Sequence, residues 1–463
     1  MSARAYRITA GLVITLVIAA ATPAPSTEPP ATEPNHSQTA LPAPAQLRPQ
    51  VEFWKSIFAT YGKHQVVVHD ALYLDRVYTV LDFGPLAQAG ASDAESELLR
   101  RRGAENEIAK VRAILTRLHQ LGPNPQELST EERKIWALFR QVKERDRFLK
   151  AAAPERVRTQ TGLRERFARG LEVGARYWPE IERIFREEGV PRELTRLPLV
   201  ESCFDVRAYS KAGAAGVWQF MPTTGRRFMR IDDAVDERRD PVIAARAAAR
   251  YLRADFEALG SWPLAITAYN HGRAGIARAV RTVNSPDIAD VVRKYHGPAF
   301  KFASRNFYAE FLAALEVERN AAGYFGDLNY EPPLAVASVR VPDYVKLHTL
   351  AGCAGGSVAT LADLNPALSR EVVEGKLSVP RGYMLRIPAG SQARFEQQYA
   401  ALPPQLKSAG QAKTYVVHRV QRGQTLLAIA RQYGTTVAAI QKRNKLGRSA
   451  VIRAGQALQI PRG

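Results

Sequence analysis

The chain is long, strongly basic and of ordinary globular composition. Its 463 residues exceed what one hydrophobic core needs and predict about three domains. A share of 46% hydrophobic and 24% charged residues excludes a disordered or fibrous chain. The formal net charge of +20 favours a polyanionic partner, which leaves nucleic acid, an anionic membrane and the carboxylate-rich bacterial wall open.

Residues 1–21 have the features of a secretory signal peptide. Arg4 and Arg7 precede an apolar run from Ile8 to Ala21 that ends in small residues. A membrane anchor is the alternative, but a spanning helix needs about 20 apolar residues. We therefore predict export to the periplasm, with membrane association only if the signal is not cleaved. An exported chain has no use for nucleic acid, so we exclude that partner.

The next two segments carry no sign of chemistry. Residues 22–49 are rich in Pro, Ala, Thr and Ser, which predicts a disordered tether. Residues 50–161 are predicted to be a helical N-terminal region, whose clearest helix runs from Ala104 to Leu121. We expect this region to have a packing or spacing role.

Cysteine and histidine usage gives no indication of a metal site. Cys203 and Cys353 are the only cysteines, and although they could pair in an oxidising compartment, two cysteines are no disulfide framework. The eight histidines are scattered without ligand spacing. We predict no metal and no cofactor.

Residues 162–323 form the most informative segment, with Glu201 as the first candidate for chemistry. Gly189 and Pro191 supply a helix stop and a new start, after which Leu194, Leu197 and Glu201 fall at positions i, i+3 and i+7. The carboxylate therefore lies on the apolar stripe of its own helix. There it is either paired with an arginine or kept partly protonated by desolvation, and this local pattern alone favours the ion pair.

A glycine-rich segment from Gly213 to Gly225 shifts that balance toward a binding cleft. Trp218 offers a flat apolar face suited to a sugar ring, and Gln219 offers both a donor and an acceptor. Further along the chain, Tyr269 and Asn270 stand together. Each signal is weak alone, because a tryptophan is most often core and an asparagine most often a cap or turn residue.

In order along the chain, the short motifs are Glu201-Ser202, Ser210, Gly216-Val217-Trp218-Gln219 and Ala268-Tyr269-Asn270. Together they resemble the family 1 lytic transglycosylases, goose-type-lysozyme-like enzymes that cut peptidoglycan. The tryptophan in the third motif, and the segment Val235–Pro241, resemble the membrane-bound transglycosylase D branch. A tyrosine usual in the fourth family motif aligns with Phe307, so its role either is lost or passes to Tyr308. His271 stands where the family usually has a small residue.

The resemblance implies a mainly α fold, with a lysozyme-like catalytic domain behind a helical N-terminal extension. It implies that Glu201 is the catalytic acid and base. The residues it implies for substrate binding are Ser202, Ser210, Trp218, Gln219, Tyr269, Asn270, Phe307 and Tyr308.

Residues 413–463 resemble a LysM domain, a βααβ module that binds chains containing N-acetylglucosamine. The pattern begins at His418–Leu426 and ends at Ile452–Pro461. The segment holds ten lysines and arginines but no aspartate or glutamate, half of the net charge. The turns where the family forms its sugar groove give the candidate glycan-binding residues Gly423, Gln424, Thr425, Asn444 and Leu446.

Residues 336–390 look like a degenerate LysM-like module. Leu361 and Asn365 recur as in the second LysM helix, but the Gly-Gln-Thr turn is missing. We expect a spacer or packing role there. Residues 391–412 are predicted to be a linker to the LysM domain.

Three functions follow from these patterns. The favoured one is non-hydrolytic cleavage of the MurNAc–GlcNAc β-1,4 bond, which leaves 1,6-anhydro-MurNAc ends, with Glu201 as the sole acid and base. Glycosidases usually need two carboxylates, and Glu201 is the single convincing one, since the chain leaves the helix before Asp205. The alternatives are a hydrolytic muramidase and an inactive wall-binding scaffold. We expect a monomer that binds peptidoglycan glycan strands and associates loosely with the envelope.

Overall fold

The computed structural model describes residues 41–85, 92–122, 125, 127–411, 415–444, 446–447 and 451–461. The predicted signal peptide and the tether up to residue 40 lie outside them. The described chain is mainly helical with several small antiparallel sheets, which confirms the predicted fold class.

The helices and strands of the described residues are as follows. The helices are α1 (Arg48–Ala59), α2 (Asp93–Leu121), α3 (Thr130–Ala137), α4 (Arg147–Ala151), α5 (Arg164–Ala175), α6 (Trp178–Glu187), α7 (Leu197–Ser202), α8 (Pro222–Gly225), α9 (Pro241–Leu259), α10 (Trp262–His271), α11 (Arg273–Val283), α12 (Ile288–Lys294), α13 (Phe302–Arg319), α14 (Ala321–Phe325), α15 (Leu347–Ala354), α16 (Val358–Leu364), α17 (Arg370–Val373), α18 (Gln392–Ala400), α19 (Leu426–Gln432) and α20 (Val437–Arg443). The strands are β1 (Gln65–Asp70), β2 (Val77–Asp82), β3 (Val157–Thr161), β4 (Val336–Arg340), β5 (Met384–Pro388), β6 (Tyr415–Arg419) and β7 (Ala457–Pro461).

The predicted tether, residues 22–49, overlaps the first helix of the structure, so its predicted end is wrong. Helix α1 begins at Arg48, and Leu47 and Val51 are already buried in the largest apolar core of the described residues. The Tyr308 hydroxyl donates to the carbonyl of Pro42 over 2.7 Å. The composition of this segment did not indicate a helix, because it has few apolar residues. A few are enough to bury one face of a helix when they all lie on the face that packs along α13.

The region 50–161 is not purely helical, so that expectation is wrong in part. β1 is the centre of a three-stranded antiparallel sheet in the order β2-β1-β3, where Val67 pairs with both Val80 and Gln160. The β-branched run 66–68 is buried and suits a central strand better than a helix. Helices α2 to α4 pack on this sheet in a separate apolar cluster.

One apolar core unites α1 with helices α5 to α13, and it positions the candidate site. Alanines along α9 let neighbouring helices approach closely, while Phe185, Trp218 and Phe311 fill the larger spaces. The domain that carries the motifs therefore includes α1 as well as residues 162–323.

Residues 336–411, here called the middle module, have their own core around an antiparallel β4–β5 pair. The predicted linker 391–412 is wrong for most of its length, because α18 buries Phe395 and Tyr399 against the module. Beyond α18, the Ser408 carbonyl accepts from the Tyr344 amide over 3.0 Å and the Gln411 side chain accepts from the Ser378 amide over 2.8 Å. The segment resembles a linker in sequence only because its apolar residues are few and four apart.

The middle module and the C-terminal segment share one local device, which supports their predicted kinship. In the middle module, the Asn365 side-chain amide donates to the carbonyls of Leu361 and Arg386, and its oxygen accepts from the Arg386 amide over 2.8 Å. At the C-terminus, Asn444 makes the same three bonds between α20 and β7. Among the described residues, the middle module places α15, α16 and the short α17 between its two antiparallel strands, and the C-terminal segment places α19 and α20 between its own pair.

Three kinds of feature are absent from the residues that the structure describes. None of their helices is long and apolar enough to cross a membrane. No group of three or more His, Cys, Asp or Glu side chains among them could hold a metal ion. The two cysteines, Cys203 and Cys353, are buried and unpaired.

Candidate active site

Glu201 lies in the last turn of a short helix whose C-terminal cap has an unusual backbone conformation. Directly after α7, Cys203 (φ 51°) and Phe204 (φ 53°) are two consecutive non-glycine residues in the left-handed region. Such conformations are costly and persist only where the surroundings impose them. Here the Phe204 amide donates to the carbonyl of Pro198 over 3.0 Å, and helix α5 approaches so closely that a Cβ on Gly170 would lie 2.4 Å from the Cys203 carbonyl oxygen.

The Glu201 carboxyl is desolvated and has no counter-ion. No side chain in the described part of the chain hydrogen-bonds or ion-pairs with it, so the ion pair favoured by the local pattern is not formed. Burial disfavours the charged form and raises the pKa of Glu201 to about 8. At neutral pH the group is therefore mainly protonated and can donate a proton.

A second carboxyl group, Glu310 on α13, was missed from the sequence. Burial raises its pKa well above the usual range, and the nearby negative charge of Glu201 raises it further. The charged forms of both carboxyl groups are thus disfavoured by burial. The signal was present, because Glu310 interrupts an otherwise apolar run in the most buried part of α13.

Residues 210–220, here called the substrate loop, are tied to α7 by Ser202. This buried hydroxyl donates to the carbonyls of Val217, over 3.1 Å, and Pro198, so the structure gives it a role in joining the loop to α7. Its substrate binding stays a prediction. The Ser210 hydroxyl accepts from the Ala214 amide over 2.9 Å and is half-buried. Gln219 has a φ of 49° and donates to the Gly216 carbonyl over 2.8 Å, which fixes its side chain at the bend of the loop.

The C-terminal end of α10 meets both the substrate loop and α13. The Tyr269 hydroxyl donates to the carbonyl of Trp218 over 2.8 Å, and its phenol interacts electrostatically with Glu201. Asn270 is exposed and accepts from the Ser304 hydroxyl over 3.0 Å. His271 contacts the same hydroxyl at 3.0 Å, so this histidine positions Ser304, a role that sequence reasoning did not give.

Three of the predicted substrate-binding residues are core residues. Trp218 is 0% exposed, stacks on Phe185 with 5.5 Å between ring centroids, and donates to the carbonyl of Pro241. Phe307 is also buried. Tyr308 is 1% exposed, and its hydroxyl is engaged with Pro42, so it does not take over the role of the family tyrosine. A flat aromatic ring in a motif indicates burial as readily as sugar contact.

A ladder of aromatic rings leads from the surface to Tyr269. Phe228, 36% exposed, packs edge-on against Tyr251 with centroids 6.2 Å apart. Tyr251 packs against Tyr269 in the same way at 5.7 Å. Phe228 and Tyr251 were not singled out from the sequence, since they stand outside the motifs. They connect an exposed ring to Tyr269, whose hydroxyl contacts the substrate loop.

The predicted LysM residues shape two turns. Gly423 has a φ of 81°, Gln424 accepts from the Gln421 amide over 2.8 Å, and Thr425 caps α19 through the Ala428 amide. The side-chain amide of Asn444 makes the backbone hydrogen bonds described above. Leu446 packs against the apolar core of the C-terminal segment.

Comparison with known families identifies two domains. The family described as "Transglycosylase SLT domain" matches residues 180–292, and the family described as "LysM domain" matches residues 418–461. The chain is thus a multidomain protein with an SLT-type transglycosylase domain and a C-terminal LysM domain, which confirms the resemblance predicted from the motifs.

Among curated proteins, the chain is similar to the membrane-bound lytic murein transglycosylase D of Escherichia coli (strain K12). The identity is 29% over 300 residues, which cover 62% of this chain and 63% of that protein. The chain thus matches less than two thirds of the relative's length. A putative tributyltin chloride resistance protein of Alteromonas sp. (strain M-1) is 35% identical over 103 residues, 21% of this chain and 49% of that protein.

Two solved structures are similar over about half of this chain. The lytic transglycosylase Slt of Pseudomonas aeruginosa, in an inactive mutant form, has a TM-score of 0.28 and 16% identity and covers 55% of this chain and 39% of its own. The 70 kDa soluble lytic transglycosylase SLT70 of Escherichia coli has a TM-score of 0.28 and 17% identity, with coverages of 49% and 45%.

Proposed function

We propose that this protein is a lytic transglycosylase that cleaves the MurNAc–GlcNAc β-1,4 bond of peptidoglycan. The observation that carries the proposal is the unpaired, desolvated Glu201 carboxyl, whose pKa of about 8 keeps it protonated at neutral pH. A general acid works best when its pKa lies near the working pH. The SLT domain and the murein-cleaving relative supply the substrate class.

The proposed reaction needs one carboxyl group that first donates and then accepts a proton. Glu201 protonates the glycosidic oxygen, the bond from that oxygen to C1 of MurNAc breaks, and the N-acetyl group of the same sugar stabilises the cation at C1. The Glu201 carboxylate then takes the proton of the C6 hydroxyl as O6 bonds to C1. Water is not consumed, and the new end is 1,6-anhydro-MurNAc.

The state of Glu310 favours this route over hydrolysis. A muramidase with two carboxylates needs the second one ionised, as a nucleophile or as a base for water. Burial raises the pKa of Glu310 well above its usual range and so favours the neutral form, and a neutral carboxyl can do neither. Hydrolysis with Glu310 as base stays the second candidate, because the group is near enough to Glu201 to feel its charge.

Other residues of the site are assigned to positioning. Ser210 and Gln219 on the substrate loop, with Tyr269 and Asn270 on α10, orient the N-acetyl group and the reacting ring. The LysM domain holds glycan strands through its two turns. We place the protein in the periplasm as a monomer, loosely associated with the envelope.

The product decides between the two reactions. Purified peptidoglycan is digested in ¹⁸O-labelled water and the new ends are analysed by mass spectrometry. We expect 1,6-anhydro-MurNAc ends, lighter by one water than reducing ends and free of label. Labelled reducing ends would indicate a muramidase, and no new ends at all would indicate a scaffold. Glu201→Gln is the control, with turnover reduced by about 10²–10⁴-fold because its amide cannot transfer the proton.

A further inference from the structure

A loop of the catalytic domain is built into the middle module. Residues 230–240, here called the anchoring loop, place Ala234 and Val235 in the apolar core of that module. Val235 forms a β-bridge with Leu368. On either side of the bridge, the Asp236 amide donates to the Ala367 carbonyl over 2.8 Å and the Ser369 amide donates to the Ala234 carbonyl over 2.9 Å.

A buried ion pair fixes the far end of the same loop. Arg386 on β5 donates to both carboxylate oxygens of Asp240, over 2.5 and 3.0 Å, and Asp240 is 1% exposed. Asp240 also caps α9 by accepting from the amides of Val242 and Ile243. The next residue of α9, Pro241, holds the indole of Trp218 through its carbonyl. The ion pair thus lies one residue away from a contact that holds the substrate loop.

Between these two anchors, Arg238 reaches into the substrate loop. Its guanidinium donates to the carbonyls of Gly213 and Phe220, over 2.8 and 3.0 Å, and pairs bidentately with Asp236. Gly213 and Phe220 flank the segment that carries Gln219. The backbone of the anchoring loop also touches this segment, since a Cβ on Gly216 would lie 1.9 Å from the Arg238 carbonyl oxygen.

We propose that the middle module is a brace for the substrate loop: Arg386 and the Val235 bridge hold the anchoring loop, and Arg238 passes that constraint to Gln219. This inference rests on the proposed function, and it assigns Arg238 and Arg386 to positioning, since neither is placed against the substrate. It also gives the degenerate module a task that needs no sugar groove. A displacement of about 1 Å at a reacting group lowers turnover about 100-fold, so a remote brace can control the rate.

The test removes the brace without leaving a charge buried. The double variant R386M/D240N abolishes the ion pair, while Asn still caps α9. A matched control is R176M/D363N, because Arg176 and Asp363 also pair across the same two domains, at 2.8 Å, but on a more exposed surface and with neither partner in the anchoring loop. Turnover is measured on a short soluble glycan, together with the melting temperature and the pH profile.

We expect R386M/D240N to lower kcat about 10- to 100-fold, with a smaller change in KM and an unchanged pH profile, because Glu201 itself is not disturbed. The control should keep wild-type kcat. As a second variant, R238K keeps the charge beside Asp236, but its three N–H donors cannot replace the four bonds that Arg238 makes to the two carbonyls and to Asp236, so kcat should also fall. The proposed brace would be overturned if wild type and R386M/D240N had equal kcat. It would also be overturned if kcat fell in both double variants in proportion to their decrease in melting temperature.

Amide hydrogen exchange gives a readout that does not need turnover. The amides of residues 213–220 should exchange faster in R386M/D240N than in the control variant. Unchanged exchange there would also overturn the inference. A wild-type protein without turnover on any glycan would count against the proposed function, while the exchange comparison would still decide whether the module braces the loop.

Discussion

At the scale of single residues, the chemistry depends on which carboxyl group carries a proton. Burial disfavours the charged forms of both Glu201 and Glu310, and a charged Glu201 raises the pKa of Glu310 further. Burial of Glu310 favours its neutral form, so in the proposed reaction Glu201 is the carboxyl group that acts in turn as acid and base.

The rate should fall as pH rises through the pKa of Glu201. The working form of a general acid is protonated, and for Glu201 this form predominates below about pH 8. We expect kcat/KM on a soluble glycan to be constant from about pH 6 to 7 and to fall about tenfold per unit well above pH 8. If kcat/KM instead began to fall near the ordinary glutamate pKa of 4.5, Glu201 would not be desolvated in solution.

Replacing Glu310 by glutamine should have little effect. The amide side chain of Glu310→Gln has the shape and neutrality of the protonated acid, so we expect kcat within about tenfold of wild type and unchanged 1,6-anhydro ends. If Glu310 were the base that activates water, its loss would lower kcat by about 10²–10⁴-fold. Product analysis of Glu310→Gln beside Glu201→Gln, in the same digest, separates these outcomes.

At the scale of elements, the substrate loop depends on one close approach. Gly216 combines a φ of 73° with a position whose Cβ would overlap the Arg238 carbonyl oxygen. We expect Gly216→Ala to lower the free energy of unfolding by about 3 kcal/mol or more and to abolish turnover. Gly260→Ala is the control: Gly260 has a similar φ of 70° but open space around it, so it should lose only about 1–2 kcal/mol and keep turnover. Urea unfolding measures both, and equal losses would contradict the role of the contact.

At this scale, the sequence predicts features that depend on neighbouring residues better than features that depend on the packing of distant helices. The predicted stripe of Leu194, Leu197 and Glu201 is found only in part, because Leu194 lies in a separate 3-10 helix, Arg192–Arg196, that precedes α7. The two strands predicted for the C-terminal module are found, paired as β6 and β7. The assignments of Trp218 and Tyr308 to substrate binding failed, because only the packing of distant helices decides whether an aromatic ring is core or surface. The sequence shows Glu310 only as an acidic residue in an apolar run. Its proximity to Glu201 depends on the packing of α13 beside α7, which the sequence does not show.

At the scale of the whole molecule, the domains differ in how they are joined. The catalytic domain and the middle module share a core through the anchoring loop. The LysM domain has a separate core, and an ion pair at 2.5 Å between Arg443 and Asp233 links it to the anchoring loop. This arrangement suits a rigid catalytic body with an attached binding module.

Deleting residues 412–463 should therefore separate binding from catalysis. The remaining chain keeps its cores complete, so we expect nearly wild-type turnover of a short soluble glycan. Sedimentation with insoluble peptidoglycan should weaken about 10-fold or more, because a tethered module raises the effective concentration of the enzyme only on a polymer. The double variant R422Q/R431Q, which removes two exposed charges, should lose only the salt-sensitive part of that binding. Pull-down of the truncated protein equal to that of the full chain, at both low and high salt, would rule out the LysM domain as the wall-binding element.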